Sequence, residues 1–443
     1  MKNLIEKLPK KIKISQKEIF FFSFLFLYSI LLIFFRVDLL GLLSLIFVSI
    51  ITFFFSRKYN HLATILYVAL FLRLTTVLLG NYLITLPDGW GDATEFERRA
   101  WEWSQNGFFG VIDNYPSNTK SYHISWLLAF IYSLTDRSII MGQSICLAFG
   151  MGSLLLGVNI AKNLWTEKVS IKVGWIIALY PTLILYSCLF LREAFIWFFL
   201  LITVKGIVLW IEDRKLKSLS IILIGFLGAT FFHGAMSIGL LVFLIIFFIL
   251  FLKHFLKNLL YLKINQLNFV YLILFFIFSL FILQNIDRIP KLAALSHMLD
   301  YEQIIVEIAN RNISNAGYPE WTVPKNLFEL IYKTPIRLIY FLFSPFPWDI
   351  NKLSHFMGLF DGLFFIILTL ILLKNFKYIW SKNSLRIILI ILASYLIIYG
   401  IATGNFGTGI RHRTKFIIIF IILVSPWIPN FVLDKKRTNY LKK

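Results

Sequence analysis

Apolar runs long enough to cross a lipid bilayer recur along this chain from one end to the other, and no other feature constrains its fold so tightly. A spanning helix needs about 20 mostly apolar residues, and IFFFSFLFLYSILLIFF at 19–35 comes close. Of the 443 residues, 58% are hydrophobic and only 15% charged, with mean hydropathy +0.77. A soluble chain carries about a quarter charged residues. The sequence therefore reads as an all-α, polytopic integral membrane protein. Its opening resembles the basic region of a signal peptide, but no small-residue cleavage site follows, so 19–35 is expected to remain as a first span.

The formal charge of +21 does not point to nucleic acid, because the lysines and arginines sit in short clusters between apolar runs. Such clusters mark cytoplasmic loops. Placing the basic N-terminus inside, and taking Ile124–Leu134 as too short to cross, sends every later cluster to the same side: Lys162, Lys168 and Lys172; Arg214, Lys215 and Lys217; Lys253, Lys257 and Lys263; Lys374, Lys377, Lys382 and Arg386; and the tail from Lys435 to Lys443. About twelve spans result: 19–35, one ending at Arg57–Lys58, 62–86, 139–161, 170–189, 193–211, 218–232, 234–252, 267–283, 356–373, 384–401 and 415–432. The stretch Ile336–Phe346, stopped by Pro345 and Pro347, is expected to re-enter or skim the surface. The regions are then 1–61, two N-terminal spans behind a basic tail; 62–283, a core with an outer loop at 87–138; 284–355, a second outer loop; and 356–443, three C-terminal spans with a basic tail. Both termini lie in the cytoplasm. Cys146 and Cys188 lie in apolar stretches and have neither a metal spacing nor a disulfide framework.

Most acidic residues fall in the two outer loops: Asp88, Asp92, Glu95, Glu97, Glu102 and Asp113 in the first, Asp287, Asp300, Glu302, Glu307, Glu320 and Glu329 in the second. A channel or anchor has no need of that asymmetry, whereas an enzyme working on the outer face does. In GDATEFERRAWEWSQNG, 91–107, helical spacing puts Asp92, Glu95 and Glu102 on one face. Asp92 opens that helix at headgroup level, or serves as its N-cap. Arg73 lies inside a span, where a charge demands a partner or a cavity. Arg192 and Glu193 stand at the junction of two spans, and His233 at another turn. In GNFGTGIRHRTKF, 404–416, three glycines free the backbone to approach a ligand. Arg411, His412, Arg413 and Lys415 gather donors at the start of a helix, on the side that the positive-inside rule leaves poor in cations. Phosphate oxygens suit such a group.

The order of these features is similar to that of a known superfamily. An Arg-bearing span, a G-D-A-x-x-F-x-x-x-A helix, an outer aromatic segment, Tyr-Pro-x-Leu-x-Leu-Tyr-Ser at 180–187 and the Arg192–Glu193 junction resemble the GT-C glycosyltransferases, in particular the protein mannosyltransferases and lipid A aminoarabinose transferases. The likeness covers roughly 62–250, with Asp92-Ala93 where many relatives carry adjacent Asp and Glu. G-x-x-G-T-x-x-R-H-R and SPFPW at 344–348 also resemble membrane proteins encoded with polysaccharide-biosynthesis genes.

The resemblance implies a multi-pass inverting glycosyltransferase of the bacterial inner membrane, acting in cell-envelope polysaccharide synthesis. The donor would be a sugar on polyprenyl phosphate and the acceptor a glycan or a lipid-linked glycan, handled at the periplasmic face among membrane lipid. Asp92, with Glu95, would serve the acceptor hydroxyl as base. Arg411, Arg413, His412 and Lys415 would hold the phosphate, and Arg73, Arg192, Glu193 and His233 would line the cleft. No cofactor or metal is required, although Asp92, Glu95 and Glu193 carry ligands for a divalent ion. Two alternatives stay open: a repeat-unit polymerase or ligase, and a lipid-linked oligosaccharide transporter.

Overall fold

The computed structural model describes residues 38–113, 115, 122–260, 301–312, 316–350 and 353–429, together with 18, 19, 21–23, 25, 26, 29, 30 and 273. Among these residues the chain is helical and forms no strand, only an isolated bridge between Gly317 and Asn405. Among the described residues seven helices are long and apolar enough to cross a membrane: Leu39–Lys58, Asn60–Tyr82, Ile139–Leu164, Glu193–Asp213, Gly234–Lys253, His355–Lys374 and Asn383–Ala402. The protein is thus a polytopic membrane protein. The expected spans at 19–35 and 267–283, and the basic termini, fall largely outside the described residues. The runs at 218–232 and 415–432 form shorter apolar helices, Leu216–Phe232 and Ile417–Trp427.

The chain divides into two compact units, the first comprising residues 1–114, 125–151 and 184–191. Here α1 (Leu39–Lys58) packs on α2 (Ala63–Tyr82). The Ser56 and Tyr67 hydroxyls share a 2.6 Å hydrogen bond across that contact. Next come α3 (Asp92–Ser104) and α4 (Gly107–Asp113). α3 is amphipathic, burying Ala93, Phe96, Glu97, Ala100 and Ser104 at helical spacing. Its buried acid, Glu97, accepts from the Tyr132 hydroxyl at 3.1 Å and from Arg137 at 2.9 and 2.7 Å. Those bonds fasten α3 to the end of α5 (His123–Tyr132), which at ten residues is as short as the sequence indicates. α6 (Ile139–Leu164) follows.

The expected straight span at 170–189 is broken. α7 (Glu167–Leu179) and α8 (Pro181–Cys188) meet at a 59° bend, and count as one crossing only if taken together. The cause is local: Pro181 has no amide proton, and it forces Tyr180 into an extended conformation, φ −69° and ψ 117°.

The second unit comprises residues 115–124, 152–183 and 192–443. α9 (Glu193–Asp213) and α10 (Leu216–Phe232) form a tight hairpin, turned at Arg214 in the left-handed region. Gly225 makes the approach possible. A Cβ there would lie 2.5 Å from the Thr203 amide nitrogen and 2.7 Å from the Phe199 carbonyl oxygen, so backbone meets backbone as in other small-residue membrane contacts. The chain continues through α11 (Ser237–Leu260), α12 (Tyr301–Arg311), α13 (Leu327–Phe343), α14 (Leu353–Lys374), α15 (Phe376–Ser381), α16 (Asn383–Ala402), α17 (Phe406–Thr414) and α18 (Ile417–Val424).

α13 replaces the short segment expected at 336–346. It starts at Leu327, where Asn326 caps it by accepting from the Glu329 amide at 2.8 Å, and carries Pro335 in its interior. Its polarity is reversed: Lys333 and Arg337 are buried, while Phe328, Ile331, Tyr332 and Ile339 are exposed. Arg337 spends its guanidinium on the carbonyls of Ile401, Thr403 and Thr322, at 2.6–3.3 Å. α13 lies against α14 and α16, two of the long apolar helices.

Candidate functional site

In the second unit, the ends of four helices bring together residues distant in sequence. Arg192 and Glu193 begin α9, His233 ends α10, Tyr399 lies in the last turn of α16, and Arg411 and His412 lie in the last turn of α17, followed by Lys415. The carboxylate of Glu193 is fully buried. Its Oε1 accepts from Arg411 Nε at 2.8 Å, with Lys415 Nζ at 3.9 Å; its Oε2 has no hydrogen-bond partner. Trp197 holds α17 in place by donating from Nε1 to the Thr414 carbonyl at 2.9 Å.

The imidazoles of His233 and His412 lie edge to face with centroids 5.9 Å apart. His233 Nδ1 shares a 3.0 Å hydrogen bond with the Tyr399 hydroxyl. Lys415 Nζ donates to His412 Nδ1 at 2.7 Å. An ammonium can only donate, so the neutral His412 ring keeps its proton on Nε2. Although His412 retains some surface, the dense shell around it disfavours charge, and the cations of Lys415, Arg411, Arg192 and Arg311 add to that effect; its pKa is pushed well below the usual histidine range. Three permanent cations, Arg192, Arg411 and Lys415, thus face one carboxylate among the described residues. They do so in a largely buried place, where charge is costly unless it is matched. Such a group is built for an anion.

The structure alters the expected origin of this site in three ways. Arg411 and His412 occupy the C-terminal turn of α17, not the start of a helix; there the carbonyl end of the dipole favours cations. The glycines serve the chain's own packing: a Cβ on Gly404 would lie 2.7 Å from the Arg311 carbonyl carbon, and one on Gly409 3.0 Å from the Tyr318 hydroxyl. Arg413 faces elsewhere. It is fully buried, donates from Nε to Asp361 at 2.6 Å, and gives its remaining donors to the carbonyls of Phe341, Leu342, Ser344 and Gly358. Asp361 in turn accepts from Tyr180 at 2.5 Å and Thr182 at 3.0 Å. With all three guanidinium nitrogens bonded inside the protein, Arg413 serves as a structural clamp.

Asp92, Glu95 and Arg73 belong to the first unit. Gly91, at φ 72°, is the N-cap of α3, so Asp92 is its first helical residue and not the cap. Asp92 is exposed. Glu95 is tied to Arg99 at 2.5 Å and to Arg98 at 2.8 Å, and those bonds hold its carboxyl below the ordinary range; Glu102 also pairs with Arg98. A carboxylate held ionised in this way is a poor proton acceptor. Arg73 is buried, donating to the Ser187 hydroxyl at 3.0 Å and the Ala69 carbonyl at 3.1 Å, while the Cys188 thiol donates to the Arg73 carbonyl oxygen at 3.2 Å. These bonds join the end of α8 to α2.

Three residues not singled out from the sequence carry much of this arrangement. Asp361 and Arg337 are charges within or beside apolar stretches, a signal that was present in the sequence. Asp88 has a left-handed backbone, φ 57°, and an exposed carboxylate that accepts from the Tyr186 hydroxyl at 2.7 Å. Among the described residues no three His, Cys, Asp or Glu side chains gather as a metal site would require.

Fold and site together define a multi-helix membrane protein with a buried, cation-rich cluster of side chains at the ends of its helices. No family model matches the chain, and neither the curated proteins nor the solved structures contain a match.

Proposed function

We propose that the protein is a membrane glycosyltransferase that takes a sugar from a polyprenyl-phosphate carrier and passes it to a glycan or lipid-linked acceptor. The observation that carries this reading is the gathering of Arg192, Arg411 and Lys415 around the buried Glu193. At an effective dielectric near 20, each unit charge about 4 Å from a phosphate is worth on the order of 4 kcal/mol. Because phosphate charge grows as the glycosidic bond breaks, these cations act more strongly on the transition state than on the bound donor. The resemblance to GT-C enzymes supplies the rest: about twelve spans, cytoplasmic termini, a periplasmic working face in the bacterial inner membrane, and Asp92 as the base.

Turnover of a labelled polyprenyl-linked sugar by the full chain in detergent tests the proposal, and also excludes a transporter, since nothing remains to be crossed. Arg411→Ala should lower kcat by about 10²–10³-fold, as loss of one charge-stabilising donor does. Undiminished turnover would refute the phosphate assignment. Comparable loss in Asp92→Asn supports the transferase, whereas indifference to Asp92→Asn moves the chain to a polymerase or ligase.

A further inference from the structure

The turn that joins α14 to α16 is basic, and it is aromatic as well. Two helices long and apolar enough to cross a bilayer end at Lys374 and begin at Asn383, so the residues between them stand where the chain leaves hydrocarbon for water. The stretch KNFKYIWSKNSLR, 374–386, holds four cations and no acid. A basic turn by itself records only which way the chain crossed. Here α15 adds a surface of rings. Ile379 is fully buried and pins the helix, while Phe376, Tyr378 and Trp380 are 41%, 47% and 43% exposed. Phe376 and Trp380, four apart, stack with centroids separated by 5.4 Å and planes 22° from parallel. Tyr378 stacks on Trp165, just past α6, at 6.1 Å and meets Trp427 edge-on at 5.5 Å. Trp165 is itself fixed, donating from Nε1 to the Ile422 carbonyl at 2.9 Å.

The lysines are placed to work with those rings. Lys374, Lys377 and Lys382 are exposed, and among the described residues none of them meets a carboxylate. Lys382 lies over the Tyr378 ring, 5.8 Å from its centroid. Neighbouring lysines differ: Lys172 donates to the Ile428 carbonyl, and Lys162 pairs with Glu167 at 3.4 Å. The hairpin turn from Arg214 to Lys217 is also basic, but its ring, Trp210, is buried, with Arg214 lying 4.4 Å over it. At headgroup level an aromatic ring rests among glycerol and upper acyl carbons, and an ammonium on a flexible stem reaches the phosphate above.

We propose that this turn is a docking site for an anionic phospholipid, with the lipid phosphate at Lys377 and Lys382 and the glycerol region lying on the Phe376–Trp380 pair. Charge makes the selection. A zwitterionic headgroup brings its own ammonium, which the lysines repel, whereas an anionic headgroup brings none. Each lysine beside an anionic bilayer strengthens association about fivefold. The turn lies at the opposite end of α16 from Tyr399, and its lipid does not depend on the transfer reading.

The test places a fluorophore on Ser381→Cys in the full chain; Ser381 is exposed, whereas Cys146 and Cys188 are buried and stay unlabelled. In phosphatidylcholine vesicles, phosphatidylglycerol spin-labelled on its headgroup should quench at a mole fraction at least about fivefold lower than spin-labelled phosphatidylcholine does. Lys377→Gln with Lys382→Gln should erase that preference, and Trp380→Ser should weaken the quenching by phosphatidylglycerol. A fluorophore on Ser220→Cys, beside Lys215 and Lys217, should report a smaller preference. Equal preference at both labels would overturn the site, because every basic turn would then behave alike; so would a preference that survives loss of both lysines. Indifference to Trp380→Ser would overturn the part given to the rings. Displacement of the lipid by free glycerol phosphate at fixed ionic strength would make this a site for a soluble phosphate and overturn the lipid. None of these readings uses sugar turnover, so failure here and failure of the transferase reading are told apart.

Discussion

Replacing Arg413 by methionine should be among the most damaging single changes in the second unit, and it should be damaging for a structural reason alone. The substitution leaves Asp361, 3% exposed, with only the Tyr180 and Thr182 hydroxyls as partners. It also strips a donor from the carbonyls of Phe341, Leu342, Ser344 and Gly358. Removing one partner of a buried ion pair costs about 3–5 kcal/mol, because the remaining charge stays buried without compensation. Pairing the change with Asp361→Leu removes that charge. The double variant should recover most of the loss and keep a deficit of about 1–2 kcal/mol from carbonyls left without donors. A double-mutant cycle measured by equilibrium unfolding in mixed SDS micelles gives the coupling directly. A cost below 1 kcal/mol for Arg413→Met, or additive single effects, would refute the clamp; so would an Arg413→Met protein of normal stability that had lost affinity for the lipid-linked sugar.

Gly225→Ala sets a methyl group against the backbone of Thr203 and Phe199, which cannot turn aside as a side chain can; thermal melting should show a loss of about 1–3 kcal/mol, and an unchanged melting point would contradict the close α9–α10 approach. Asn405 caps α17 by accepting from the Thr408 amide at 2.8 Å, so Asn405→Ala should cost about 1 kcal/mol while Asn405→Asp costs little, measured in the same unfolding assay. His412 resists protonation in the folded protein. The folded state therefore binds fewer protons than the unfolded chain once pH falls below the ordinary histidine value of about 6.5, and stability should decline from there by up to ~1.4 kcal/mol per pH unit until the depressed folded value is reached. His412→Gln should flatten that slope in unfolding curves taken between pH 7.5 and 5; an identical slope would mean that some other group is responsible.

Much of the helical layout was legible because apolar runs of spanning length leave a hydrophobic chain few alternatives. The break at Pro181 was equally present in the sequence, yet a span defined by length and hydropathy passes over a single proline. The basic motif marked a segment but not which way each of its cations faces. At about 100° per residue, Arg411 and Arg413 point to opposite sides of α17, while Arg411 and Lys415, four apart, share one. That arithmetic alone separates the pocket residue from the clamp, and the structure agrees: Arg411 meets Glu193 and Arg413 meets Asp361. The glycines at 404 and 409 misled because a backbone bare of side chains accommodates a neighbouring segment as readily as a ligand; which of the two occurs depends on Arg311, Asn312 and Tyr318, nearly a hundred positions earlier. Charges such as Asp361 escaped notice because one acid scarcely lowers the mean hydropathy of a twenty-residue run.

The reversed polarity of α13 has a consequence for how the chain is assembled. Two of the carbonyls that receive Arg337 lie 64 and 66 residues farther along. At roughly 5–20 residues per second, the ribosome takes about 3–13 s to supply them. Through that interval Lys333 already has Val323 and Glu329 to meet, but Arg337 has only the Thr322 carbonyl, beside an outward row of Phe328, Ile331, Tyr332 and Ile339. It has to wait at the water–lipid boundary while later chain threads past it, and it settles last although it was made earlier. Release of the nascent chain before residue 401 would leave it stranded there.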